Sequence, residues 1–268
     1  MFALCPLTLL PCSPVEIIDA AAEAGFDAVG LRLAPTLSTD IDVLADKHLC
    51  REIEKKISSS GIKVLDIEAV RVSPDLDVNS VRPMFEYASG LGAQFMVVTG
   101  APIAEWDPTR EDAVVGKLRD LCELAARHSL KIGVEFMLFR GIRTLEHALD
   151  LRQKVGHPAF AITVDTVHFN RSRGTIDQLA AMDPAAFSYV QLCDGPAKTP
   201  DDLVAESRKH RLMPGEGDFP LVDIIKALPA DITFGVEVPN EIYQGKSAYE
   251  KARLAAEAGR AVLKQAGR

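Results

Sequence analysis

Three carboxylates in this chain share one setting. Glu135 closes the run Lys131-Ile-Gly-Val-Glu135, Asp165 closes Ala161-Ile-Thr-Val-Asp165, and Glu237 closes Thr233-Phe-Gly-Val-Glu237. Each run is apolar or β-branched up to its acid, the pattern of a buried strand. An ionised carboxylate buried alone is very costly, so each acid must be paired or bound to a cation. The neighbouring segments show no basic residue at the same depth, which points to a metal. Gln191, on the run Phe187-Ser-Tyr-Val-Gln191-Leu-Cys193, adds a neutral oxygen donor. An oxygen-rich set of this kind suits Mn²⁺ or Mg²⁺, with Co²⁺ and Zn²⁺ weaker matches. The expectation is that these strand ends meet around one divalent ion.

Other residues carry two readings each. His168 follows Asp165 by three positions, which is not a same-face spacing on a strand, although the chain can already be turning there. Its imidazole either rests on a backbone carbonyl or contacts a substrate hydroxyl. Arg211 precedes the glycine-bearing segment Met213-Pro-Gly-Glu-Gly-Asp-Phe219. That segment is either only a tight turn or a device that lets Arg211 hold a substrate oxygen, with Glu216 fixing the guanidinium. Glu68 and Arg71 either line the pocket or pair with each other. No pair of basic residues marks a phosphate site. Gly245-Lys-Ser lacks the upstream glycine of a phosphate-binding loop, and no GxSxG, HExxH or GxGxxG occurs.

The elements that must position these residues alternate from end to end. Expected strands cover 2–10, 27–33, 63–70, 94–100, 131–138, 159–169, 187–193 and 231–238, each followed by a helix. Ser13, Pro14 and Glu16 form a capping-box start for the first helix. A long polar segment, 194–219, with a helical turn around 201–209, interrupts the last unit. Eight βα units with near-continuous apolar strands point to a parallel sheet covered by helices. At 268 residues this predicts an α/β fold, a single-domain (β/α)8 TIM barrel over 1–268, with its site at the C-terminal ends of the strands. Arg32, Glu68, Thr99, Glu135, Asp165, His168, Gln191, Asp194, Glu237 and Asn240 fall at those ends.

Composition limits the partners. The net charge is −8 and 47% of residues are hydrophobic. An acidic chain has no electrostatic footprint for nucleic acid. No apolar run approaches the roughly 18 residues of a membrane helix. No basic region precedes the N-terminal apolar residues, so no signal peptide is read. Five unpaired-looking cysteines suit reduced thiols, hence a cytoplasmic protein. The number of copies is left open, including a homo-oligomer.

Taken together, Gly-Val-Glu135, Val-Asp165-Thr-Val-His168, Gln191-Leu-Cys-Asp194, Pro-Gly-Glu-Gly217 and Gly-Val-Glu237, with Thr8 on the first strand, resemble the xylose isomerase-like TIM barrels, the sugar phosphate isomerase/epimerase group. The resemblance spans nearly the whole chain. It implies a metal quartet of Glu135, Asp165, Gln191 and Glu237, with Glu135 and Glu237 also acting as acid and base on opposite faces of the substrate. It implies substrate contacts from His168 and Arg211. Many members carry histidine where this chain has Gln191, while those resembling hydroxypyruvate isomerase carry glutamine; an oxygen ligand there tilts the site toward Mg²⁺ or Mn²⁺.

The implied reaction is isomerisation or epimerisation of a ketose, a small hydroxy-carbonyl sugar or a keto acid. A proton moves next to a carbonyl through a metal-bound enediolate. The nearest rival is a metal-dependent keto-polyol dehydratase, which needs no new ligands. An abasic-site endonuclease would need more strand-end histidines and a basic groove. A metal-free binding protein would not need the acidic set.

Overall fold

The alternation of apolar runs and amphipathic segments closes into a barrel. The computed structural model describes all residues 1–268. The strands are β1 Phe2–Leu4, β2 Ala28–Arg32, β3 Lys63–Val72, β4 Phe95–Gly100, β5 Lys131–Glu135, β6 Phe160–Asp165, β7 Phe187–Leu192 and β8 Phe234–Val236. All pair in parallel in sequence order, and β8 returns to β1. The single-domain (β/α)8 TIM barrel is therefore the observed fold.

The helices are α1 Pro14–Glu23, α2 Lys47–Ser60, α3 Arg82–Gly90, α4 Glu111–Arg127, α5 Leu145–Val155, α6 Thr166–Arg171, α7 Ile176–Ala180, α8 Leu203–Lys209, α9 Leu221–Ala227 and α10 Ala248–Gln265. The expected Ser13–Glu16 capping box starts α1. Ten helices stand where eight and one helical turn were expected. The turn around 201–209 is α8, and α6 is the addition; both follow strand ends on the functional face.

Several strands are shorter than their apolar runs suggest. β1 stops at Leu4, because Pro6 opens a 3₁₀ turn. The residues beyond it still close the barrel: the Thr8 hydroxyl donates to the Val236 carbonyl at 3.1 Å and accepts from the Val238 amide at 3.0 Å. The run expected as a strand to Phe169 ends at Asp165, because the Asp165 carboxylate caps a helix instead, accepting from the Val167 amide at 2.8 Å and the His168 amide at 3.3 Å. His168 is thus helical. β8 ends at Val236, so Glu237 lies one residue beyond it.

Two apolar layers support this frame. The larger lies between strands and helices, and includes Val29, Ile67, Val134, Ile162, Leu118 and Ile225. The smaller, Ala3, Cys5, Ala28, Leu65, Val97 and Tyr189, joins residues at the neighbouring strands β1 to β4 to Tyr189 of β7 across the barrel. No helix is long and apolar enough to cross a membrane. The five cysteines are free thiols.

Gly259, in the interior of α10, shows how closely the helices approach. A glycine there costs about 1 kcal/mol relative to alanine. A Cβ at this position would lie 2.8 Å from both the Phe2 ring and Val236 Cγ2. The missing side chain lets α10 seal β1 and β8. Gly259→Val should cost about 1–3 kcal/mol by overpacking. Urea unfolding should show a lower midpoint with the same slope; an unchanged midpoint would contradict the close approach.

Candidate metal centre and active site

Register brings the strand-end residues level. Arg32 pairs with Glu68, Thr99 with Glu135, and Asp165 with Gln191. Glu237 is held by its backbone amide, which donates to the Leu192 carbonyl at 3.0 Å. Glu135, Asp165, His168, Gln191, Arg211 and Glu237 are all buried. Six residues from five segments of the chain therefore converge at the C-terminal face.

The strongest contact there is one that the strand pattern did not foresee. Arg211 is only 1% exposed. Its Nη1 donates to Asp165 Oδ2 at 2.6 Å and to Glu237 Oε2 at 2.8 Å. The expectation that no basic residue reaches the depth of the acids is thus corrected. Arg211 arrives from outside the strands. α8 delivers it, with Nε donating to the Ser207 carbonyl and Nη2 to the Ser207 hydroxyl. Asn240 grips its backbone, donating to the Arg211 carbonyl at 2.7 Å. Glu216 does not hold the guanidinium; its carboxylate accepts instead from the Met213 amide and the Tyr243 hydroxyl.

A second guanidinium lies on the far side. Arg32 Nη1 donates to Glu68 Oε2 at 3.1 Å, and Nε donates to Asp40 at 2.7 Å. Glu68 therefore pairs with Arg32, not with Arg71. Arg71 donates to the Thr36 carbonyl at 2.5 Å. Glu68 and Arg71 both line the cleft, together with Glu135, Glu237 and Arg211.

Charge is not balanced at this face. Arg211 serves Asp165 and Glu237, and Arg32 serves Glu68 and Asp40. Glu135 has no cationic partner other than His168, whose Nε2 lies 3.6 Å from Glu135 Oε1. Burial pushes the His168 pKa down to about 4, against the pull of Asp165, so this imidazole is neutral near pH 7. Burial lifts the Glu135 carboxyl well above the ordinary carboxylate range, and Glu237 and Asp165 push it further. Glu237 is raised too, by burial and then by Glu68, in spite of Arg211. Burial and the neighbouring Asp66 push Glu68 to about 8. For Asp165, burial acts upward, but Arg211 overcomes it and holds the group below its usual value.

A divalent ion fits this donor set. Gln191 Nε2 faces Glu237 Oε1 at 3.3 Å and Glu68 Oε1 at 3.5 Å, which leaves Gln191 Oε1 buried without a partner. Two sets of side chains each present atoms within 4.8 Å of one another: Glu135, Asp165 and His168, and separately Cys5, Glu68 and Glu237. The site thus offers an orphaned amide oxygen and an unpaired carboxylate beside two more. Arg211 uses oxygens of Asp165 and Glu237 that an ion would also seek, so the two cations compete.

Sequence reasoning left three site residues without a role. Arg32 ends β2 and balances Glu68. Tyr189 donates to buried Asp66 Oδ2 at 3.1 Å, beneath the site; burial pushes Asp66 up to about 7. Asp194 does not line the cleft. It accepts from the amides of Gly195, Gly215 and Phe219, and so shapes the glycine turn after Arg211. Its position just after a strand was legible; its backbone partners were not.

The parallel eight-stranded barrel thus carries its buried acids and a guanidinium at the C-terminal face, where sites of (β/α)8 barrels lie. The xylose isomerase-like TIM barrel family matches this chain over residues 18–266, and the protein belongs to that family. No curated protein matches the sequence. Among solved structures, the chain resembles an IolI protein with a bound zinc atom, at 19% identity, 98% of each chain and a TM-score of 0.86. It also resembles D-psicose 3-epimerase from Clostridium cellulolyticum H10, solved with D-tagatose, at 17% identity, 99% of each chain and a TM-score of 0.74. A third is the probable 3-DHS dehydratase AsbF from Bacillus anthracis, at 17% identity, 97% of this chain, 98% of that one and a TM-score of 0.74.

Removing Arg211 should expose the cost of the buried acids. In metal-free protein at neutral pH, Arg211→Met should lose about 3–5 kcal/mol, the usual cost of orphaning a buried charge. The Asp165 part of this stabilisation is present above the unfolded carboxylate value of about 3.9. It is lost as pH falls through the depressed folded value, so the variant and wild type should converge in acid. Denaturant titrations across pH would check this; equal stability at neutral pH would contradict it.

Proposed function

We propose that the protein is a divalent-metal-dependent isomerase or epimerase of a ketose or small hydroxy-carbonyl sugar. One observation carries the reading. Glu135 and Glu237 reach one cleft from β5 and from the end of β8, and burial holds both carboxyls at raised proton affinity. A buried carboxyl of raised proton affinity can both take and return a proton, as general acid–base work requires.

Glu135, Asp165, Gln191 and Glu237 would hold the metal, Mn²⁺ or Mg²⁺ by donor chemistry, with Co²⁺ or Zn²⁺ as alternatives. The bound ion would supply Lewis-acid stabilisation of negative charge on the substrate oxygens. The chain's own residues do the rest. One glutamate removes the proton next to the carbonyl, and the same or the other glutamate returns it. Return to the adjacent carbon isomerises; return to the opposite face of the same carbon epimerises. Neutral His168 offers Nε2, which has no partner, to a substrate hydroxyl, and the Phe139 ring packs edge-on against the imidazole. Arg211 Nη1, if drawn from its acids, would hold a substrate oxygen.

A metal-dependent keto-polyol dehydratase is the second reading. Abstraction of the same proton next to a β-hydroxyl expels water, and the barrel's likeness to AsbF favours keeping it in view.

The test is deuterium wash-in across a panel of ketoses and keto acids, with Mg²⁺ or Mn²⁺ supplied. Label should appear next to a carbonyl, and Glu135→Gln and Glu237→Gln should each slow exchange by about 10²–10⁴-fold. A product that absorbs as an α,β-unsaturated ketone would select the dehydratase. Exchange undiminished in both variants would overturn the assignment of acid and base.

A further inference from the structure

Charge at the cleft mouth is arranged differently from charge at its floor. Arg71 ends its reach on the Thr36 carbonyl, Arg208 is an exposed residue of α8, and Arg140 stands on the loop after β5; all three line the cleft that holds Glu135 and Glu237. None of the three is in ion-pair contact with a carboxylate, whereas the other two arginines of the same cleft, Arg32 and Arg211, each are. In a chain of net charge −8, a cluster of three uncompensated guanidiniums is unexpected.

Arg140 makes the cluster a built site. It is only 9% exposed, and its Nε is buried with no partner. Its backbone is fixed rather than loose. The Arg140 amide donates to the Met137 carbonyl at 2.9 Å, the Gly141 amide donates to the Ala101 carbonyl at 2.8 Å, and Arg140 bridges to Pro102. Trp106 packs so closely on Gly141 that no Cβ could fit there. The loops after β4 and β5 thus clamp each other and pre-position the guanidinium. Burial, then repulsion from Arg71 and Arg208, lowers the Arg140 proton affinity; the acids felt there, Glu135 and Glu105, only partly oppose this. A buried cation held beside like charges is costly unless an anion arrives. A planar guanidinium fork fits carboxylate and phosphate oxygens alike.

We infer that Arg71, Arg140 and Arg208 form an anion subsite at the cleft mouth, and that the substrate carries a carboxylate or phosphate beyond the carbons that Glu135 and Glu237 handle. The inference rests on the proposed reaction for the place of those carbons, and it narrows the substrate class from neutral sugars to anionic ones. It also revises the expectation that no basic residues mark an anion site: the three come together from β3, the β5 loop and α8.

Binding, not turnover, tests it. Titration calorimetry on the Mg²⁺-supplied protein would compare ribulose with ribulose 5-phosphate, and the methyl ester of 3-dehydroshikimate with 3-dehydroshikimate. Each pair differs at one anionic group. At least one anionic member should bind tenfold or more tightly than its neutral partner, and the pair that discriminates tells phosphate from carboxylate. Arg140→Met should collapse that ratio toward one while leaving the neutral member's affinity little changed. Arg208→Met, at an exposed position that does not endanger folding, should reduce the ratio in the same direction. Equal affinities within both pairs, or a ratio that survives both substitutions, would overturn the subsite. A loss of proton exchange without loss of this ratio would instead count against the proposed reaction alone.

Discussion

The structure turns on carboxylates that are buried without enough positive charge to match them. Arg211 reaches between Asp165 and Glu237, and Arg32 reaches Glu68 and Asp40. Glu135 is left facing a neutral imidazole. In a low-dielectric barrel mouth such an imbalance is resolved by proton uptake or by a further cation. Both outcomes matter for chemistry. Proton uptake makes Glu135 and Glu237 competent to carry a hydrogen, and a cation would draw on the same oxygens.

The barrel supplies the geometry for this at little expense in regular structure. Parallel register sets Glu135 level with Thr99, and Asp165 level with Gln191. The short helices α6 and α8 then add what strands cannot. Asp165 caps α6 and thereby turns His168 toward Glu135, so one residue both ends a strand and orients its neighbour. α8 presents Ser207 to Arg211, and Asn240 closes on the Arg211 backbone from the β8 side. The glycine turn that follows is shaped by Asp194 through three backbone amides, which makes it a structural device in support of Arg211.

Much of this was legible in the sequence, for definite reasons. Apolar runs that end in acids mark buried parallel strands with a polar rim, so the barrel and the carboxylates of Glu135, Asp165 and Glu237 could be read directly. The residues themselves also offered Gln191 as a neutral oxygen donor and left His168 between a backbone carbonyl and a substrate hydroxyl; the family resemblance implied the full ligand quartet and the contacts of His168 and Arg211. What could not be read was the long-range pairing of loop residues. Arg211 follows a polar segment with no strand periodicity, and only the fold shows that it descends to the depth of the acids. Arg32 was visible at a strand end, but its partners, Glu68 and Asp40, depend on register and on a loop. Arg140 and Arg208 look like ordinary surface charges until their segments are brought to one mouth. His168 was read on a strand because the β-branched run continues through Val167; the capping bonds of Asp165 override that pattern.

The central claim is that one divalent cation answers the negative charge which the two arginines leave unmet. Calorimetric titration of chelator-stripped protein with Mn²⁺, repeated on Glu135→Gln, tests it most directly. The account predicts one ion bound per chain, a higher thermal midpoint on binding, and marked weakening in the variant, which keeps the Arg211 contacts but lacks the unpaired acid. Saturation at no defined stoichiometry, or equal affinity in the variant, would contradict it.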